Sequence, residues 1–190
     1  MPKQSINRDD VLAAALEMTR RQGYERVNAR SVAAFMDCSV QPIYSYFANM
    51  DELKEALQAK SLEFYERFIY ARAEKEHTLE SMGRANIAFA KEEPNLFRLL
   101  FLTKLGHKSF ADIFERMGDK DAAAALAAEL GVSEAKAREV YIMLIVFTHG
   151  IATMLATGGA DISEAETSAL LTKAFTAFVD LQNKQGEIDE

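Results

Sequence analysis

The sequence predicts an all-α fold, on three observations. Apolar residues recur at intervals of three and four along nearly every segment, and no segment alternates with the period of a strand. Three prolines and nine glycines in 190 residues are too few for a turn-rich β chain. Helix starts are marked by side chains able to cap a free N–H, several with an apolar pair straddling the cap.

The first helix is expected to open at Asn7, flanked by Ile6 and Val11 at staple spacing, and to carry Leu12, Ala15, Leu16 and Thr19 on one face until Gly23 stops it. A second runs from Asn28 to about Met36, stapled by Val27 and Val32. After the brief turn "DCS", a third is expected with Ser39 as N-cap, ending near Phe47. Pro42 then lies in the first turn, where a missing N–H costs little, although a proline biases the preceding Gln41 away from helical dihedrals. Asn49 and Glu52 have capping spacing for a long fourth helix, along which Leu53, Leu57, Phe64, Phe68 and Ala71 recur near the helical period. Further helices are expected over about 79–92, 96–105, 109–117, 122–130, 133–157 and 163–184, with Pro94, Gly106, Gly118 and Gly131 at the breaks. The natural division is a small N-terminal unit, residues 1–50, and a larger helical domain, 51–190.

Composition narrows the classes of function. The net charge of −7 disfavours a nucleic-acid partner at first sight, but residues 1–50 hold six basic and five acidic groups, so the acidity belongs to the rest of the chain. A single cysteine and no charged-then-apolar leader point to the reducing cytoplasm. The longest apolar run, 140–156, contains His149, Gly150 and two threonines and falls short of the roughly 20 apolar residues that span a membrane, so it reads as a buried or dimer helix. His77, His107 and His149 lack ligand spacing, and adjacent Glu92 and Glu93 cannot face one another on a helix. No catalytic residue, metal site or cofactor is therefore expected, and Cys38 reads as a small buried hydrophobe.

Helices two and three with the turn between them have the dimensions of a helix-turn-helix, whose second helix enters the major groove of DNA. On that helix Ile43 and Phe47 fall one turn apart and face inward, leaving Gln41, Tyr44 and Ser45 outward with Val40 and Pro42 at the tip. Glutamine makes paired hydrogen bonds to adenine, and valine and proline offer apolar surface to a thymine methyl. Tyr44, Tyr46, Arg30 and the caps Asn28 and Ser39 are suited to phosphates, contacts that set register without reading sequence.

The segments "ALEMTRRQGYERV", "SVAAFMDCSV" and "IYSYFANMDEL", in that order, resemble the DNA-binding region of the tetracycline-repressor (TetR) family. The resemblance implies a homodimer that binds a palindromic double-stranded DNA operator and represses until a small-molecule effector enters the C-terminal domain. It carries Asn28, Arg30, Ser39, Gln41, Pro42, Tyr44 and Tyr46 over as DNA-contacting positions. Three positions depart from the family's pattern: Asp37 stands where a glycine is usual, Val40 where a basic residue is common and Met50 where a lysine is usual, with Lys54 one turn further on as a substitute cation. "EEPNLFRLLF" and "FTHGIATMLATG" are similar to segments of one branch of family effector domains, in which the last two helices of each subunit form a four-helix dimer interface. Ile151, Leu155, Leu171, Phe175 and Phe178 would suit that interface. Phe64, Phe68, Phe89, Phe101 and Phe147 read mostly as core, with some of them expected to wall an effector pocket whose polar share would be Thr103, Tyr141 and His149. The alternative is a helical protein-interaction module that keeps the fold without specific DNA binding, motivated by Val40, Met50 and the acidic total.

Overall fold

A computed structural model of the chain describes residues 6–72, 78–103 and 122–186, and every regular element among them is helical. The helices are α1 Arg8–Gln22, α2 Ala29–Phe35, α3 Gln41–Tyr46, α4 Met50–Arg72, α5 Thr78–Glu92, α6 Pro94–Phe97, α7 Ala122–Leu130, α8 Glu134–Thr157 and α9 Glu164–Gly186. The expected helix over 109–117 lies outside the described residues. Contacts divide the chain into two units: Met1–Arg67 with Glu93–Gly106, and Phe68–Glu92 with His107–Glu190.

In the first unit, local chemistry sets each boundary. Asn7 Oδ1 accepts the N–H of Asp10 while Asp10 returns a carboxylate to the N–H of Asn7, both at 2.9 Å. Gly23 ends α1 at φ +90°, a conformation open to glycine and strained for any residue with a Cβ. Asn28 caps α2 by accepting from the N–H groups of Arg30 and Ser31.

The far end of α2 closes in a Schellman turn: the N–H of Cys38 donates to the carbonyl of Ala33, and that of Asp37 to Ala34. Asp37 is the left-handed residue of this turn, at φ +51°. An aspartate there in place of the family's usual glycine keeps the turn but carries a steric cost on the order of 1 kcal/mol. Cys38 follows and packs half-buried against the apolar core, as the turn's geometry favours.

The start of α3 differs from the sequence expectation. Ser39 is not its N-cap: Val40 already has helical dihedrals, φ −71° and ψ −12°, and its carbonyl accepts from Tyr44. No side chain caps this end. Gln41 and Pro42 are the first two helical residues, so proline stands where the absent N–H has no helical partner to lose. The core beneath is formed by Val11, Leu12, Ala15 and Met18 of α1, Val32 of α2, Ile43 and Phe47 around α3, and Leu53 and Leu57 of α4.

Pro94 resets the chain after α5. It restricts the backbone of Glu93, which leaves the helix at φ −127° and starts α6 at Pro94, two residues earlier than expected. A wider π-type turn, Arg98–Leu102, follows.

The second unit is built around α8, which packs against α5, α7 and α9. Where α5 meets α8, a Cβ on Gly83 would lie 3.1 Å from Cγ2 of Thr148, closer than side chains ordinarily approach. Thr148 in turn donates its hydroxyl to Leu144 O, satisfying it without an outside partner. The α8 helix is 24 residues long, longer than the apolar run within it, and by length and composition alone could cross a membrane. Here its buried side, including Val140, Tyr141, Leu144, Ile151 and Ala152, is spent on helix packing.

Two stability changes follow. Asp37→Gly should raise the unfolding free energy by about 0.5–1 kcal/mol, since only the left-handed turn gains. Gly83→Leu should lower it by roughly 1–3 kcal/mol, because the α5–α8 contact has no room for a branched side chain. Urea titration measures both, and an unchanged midpoint for Gly83→Leu would contradict the close approach.

Candidate nucleic-acid interface

The α3 helix is too short to persist alone and is held from one side. Ile43 and Phe47 are each 1% exposed in the core, and Arg8 lies over the Phe47 ring with its guanidinium 4.8 Å from the centroid. The opposite side faces solvent: Gln41 and Ser45 are exposed, Val40 is 38% exposed and Tyr44 53%, with Pro42 half-buried between them. The helix thus presents an amide, a phenol and apolar surface at one tip.

The ten residues singled out from sequence do not stand equal. Tyr46 donates its hydroxyl proton to the carbonyl of Ile6 at 3.0 Å, so in this arrangement it ties α3 to the segment before α1 rather than offering a donor outward. Ser45 donates to Gln41 O at 2.9 Å. The Asn28 amide is occupied at both ends, accepting from Arg30 and Ser31 and donating to Arg26 O. Ser39 is exposed, and Arg30 is exposed with its guanidinium in no ion pair among the described residues. Lys54 is half-buried, its ammonium 4.0 Å from Asp51 and 6.0 Å from the centre of the Tyr24 ring. Met50 packs against the core, which explains why an apolar residue fits where the family usually has lysine. Burial raises the pKa of Tyr24 above its ordinary value, with Asp51 and Glu25 adding to the effect, so it stays a neutral phenol beside Lys54.

Two of the three cations of α1 are held by carboxylates. Arg21 pairs with Glu17 at 2.6 Å, and the Arg20 guanidinium is shared between Glu17 and Glu93. Arg26 and Arg30 remain exposed near α2. Sequence reasoning did not single out Arg26, although its position two residues before a cap is a usable signal.

The expected pocket residues divide between the units. In the first, Phe64 lies under Arg20, Phe101 packs edge-on to Tyr65, and Thr103 donates to Leu99 O. In the second, Phe68 meets Phe89 edge-on at 5.2 Å, Phe147 meets Phe178 at 6.2 Å, and Tyr141 and Phe89 are core residues. The second unit does contain a half-open cavity of about 620 Å³, and none of the eight expected residues lines it. Its walls are small, aliphatic and charged: Ser81, Ala85 and Ala88 along α5, Leu155 and Ile162, and Arg72, Arg84, Lys91, Glu92 and Glu164. Phe68, Phe89, Phe101 and Phe147 make ring contacts within their own units.

The proposed interface residues also separate. Ile151 and Leu171 are each 3% exposed, so their apolar surface is already covered inside the unit and offers a partner nothing. Leu155, Phe175 and Phe178 are half-buried, while Val146 and Met154 of α8 and Leu170 and Leu181 of α9 are exposed.

A short helix anchored by two core residues, behind a tight turn and with its outer face free, defines a helix-turn-helix protein. Residues 11–57 match the family "Bacterial regulatory proteins, tetR family", and residues 79–178 match "Tetracyclin repressor-like, C-terminal domain". The chain belongs to the TetR family, and is a DNA-binding transcriptional regulator. No curated protein matches it.

Burial holds the His149 imidazole below its ordinary pKa. The unfolded chain therefore takes up a proton at pH values where the native chain stays neutral; the resulting stability is present above about pH 6.5 and is lost as pH falls. Urea midpoints of the wild type should drop more between about pH 7.5 and pH 5.5 than those of His149→Gln, and equal drops would contradict it.

Proposed function

We propose that the chain acts as a homodimer whose two α3 helices read the half-sites of a palindromic operator, and that a small molecule entering the second unit releases it, making it a ligand-controlled repressor. The exposed, otherwise unused face of α3 carries this reading. Gln41 is placed for an adenine edge and Val40 and Pro42 for a thymine methyl, with Tyr44, Ser39 and Arg30 toward phosphates. Pro42 stiffens the tip, so the backbone meets a base edge without first freezing a mobile turn. Residues 1–50 form the reading domain and 51–190 the domain for effector and dimer. The apolar positions Val146, Met154, Leu170 and Leu181 support a second copy as the occupant of the α8–α9 face. The half-open cavity supports the effector, its volume being of the size small ligands occupy.

For a ligand to act, it must favour one spacing of the two recognition helices over the other, since equal affinity shifts nothing. A tilt of α4 is the simplest carrier, as a small change in half-site separation removes binding.

Selection from random-sequence DNA should enrich a palindrome with half-sites one helical turn apart. Against that duplex, Gln41→Ala should lose about 1–3 kcal/mol of discrimination at one base pair, whereas Arg30→Ala should weaken all sequences alike and reduce the salt slope by about 1. Enrichment of nothing at any salt would favour the interaction-module alternative. Met154→Asp should convert the dimer to monomer in sedimentation, and a dimer that persists would place the interface elsewhere.

A further inference from the structure

The half-open cavity of about 620 Å³ is walled entirely by residues of the second unit. Along α5 its wall residues Ser81, Arg84, Ala85, Ala88 and Lys91 fall three and four apart, the spacing of one helix face. From α9 come Glu164, Thr167 and Ser168, while Leu155 and Ile162 add aliphatic surface. No aromatic residue stands among these walls, so a flat ring has nothing to stack on and a quaternary ammonium has no cage. The walls suit an aliphatic body.

The charges on the walls do not cancel. Arg72, Arg84 and Lys91 set three positive charges against the two of Glu92 and Glu164, in a chain whose net charge is −7. Glu92 is already neutralised by Arg72 at 2.8 Å, and Glu164 stands in the first turn of α9, where the positive end of a helix offsets a carboxylate. Arg84 is held by Glu80 at 2.8 Å. Lys91 is left over, exposed and in no ion pair among the described residues.

Thr167 adds a donor. The buried threonines Thr19 and Thr148 each donate to the carbonyl four residues back, on Ala15 and Leu144. Thr167, 7% exposed, departs from this: its N–H reaches Ser163 O at 2.9 Å, but its hydroxyl has no partner among the described residues. Buried hydroxyls are ordinarily paired, so an unpartnered one on a cavity wall marks where a ligand atom is met.

We propose that the cavity takes an aliphatic carboxylic acid as its anion, with Lys91 supplying the countercharge, the Thr167 hydroxyl donating to the carboxylate, and the chain lying against Ala85, Ala88, Leu155 and Ile162. The inference names the ligand class of the effector site proposed above and rests on that reading.

Calorimetric titration of the full chain with octanoate, 1-octanol and octylamine tests it. Octanoate should bind saturably and about tenfold more tightly than either analogue, the difference that hydrogen bonds to a charged group supply. Lys91→Gln and Thr167→Val should each weaken octanoate about fivefold and leave octanol within about twofold. Ala88→Trp, which fills the cavity, should abolish octanoate binding. Lys91 is exposed, so its variant carries the result even if Thr167→Val fails to fold. Equal affinity for octanoate and octanol, tighter binding of octylamine, or octanoate binding untouched by Lys91→Gln or by Ala88→Trp would each overturn the acid as ligand. So would a wild-type chain that binds no octanoate. The reading beneath it fails separately: it falls if no compound in a small-molecule screen releases the selected duplex, and it stands, without the acid, if only neutral or cationic compounds do.

Discussion

The structure depends on the burial of Ile43 and Phe47. Six residues of α3 contribute too few internal hydrogen bonds to hold a helix, and no side chain caps its start. Two fully buried apolar side chains, each worth about 1.5–3 kcal/mol, supply most of what does. Because they project from one side, they also decide which residues project from the other. The Tyr46 hydroxyl on Ile6 and the guanidinium of Arg8 on Phe47 then fix the helix's rotation. The core side and the outward side of α3 are thus set by the same two buried residues.

The second constraint is a proline. Pro94 follows Glu93, which leaves helical geometry at φ −127°, and the carboxylates of the two successive glutamates have different partners. One is half-exposed on a cavity wall and the other nearly covered against α1. Proline at the start of α3 acts in the same spirit, restricting the backbone where a side chain must be aimed.

The sequence made most of the fold legible because its helix signals are local. Asn7 with Asp10 and Asn28 with Val27 and Val32 mark starts that tertiary packing had no reason to override. Ser39 was misread because a serine ahead of a helix usually caps it, whereas Val40, between a Schellman turn and a proline, was already wound into helix. The core side of α3 was readable from its spacing, and so was its outer side. The cavity was not, because it is made by residues that fail to fill space: Ser81, Ala85 and Ala88 leave room only once α5 has been placed. Tyr46, Ser45 and Asn28 looked like free donors because a sequence does not show a hydrogen bond already made.

Charge explains why such a surface would need two copies. With Arg20 and Arg21 bound to carboxylates and Met50 against the core, the described cations left in the N-terminal part of the first unit are few, Arg8, Arg26 and Arg30 among them. Phosphate contacts supply sequence-independent affinity in proportion to their number, so one such unit would hold DNA weakly and with a shallow salt dependence. Discrimination would then fall on the neutral tip, where Gln41 and its apolar neighbours gain little from non-specific sites. Pairing two weak readers multiplies their affinities only when both half-sites are in reach, which makes binding steeply sensitive to their separation. In the dimer proposed above, such a regulator would give up affinity per copy, and a small displacement within each subunit would be enough to release the DNA.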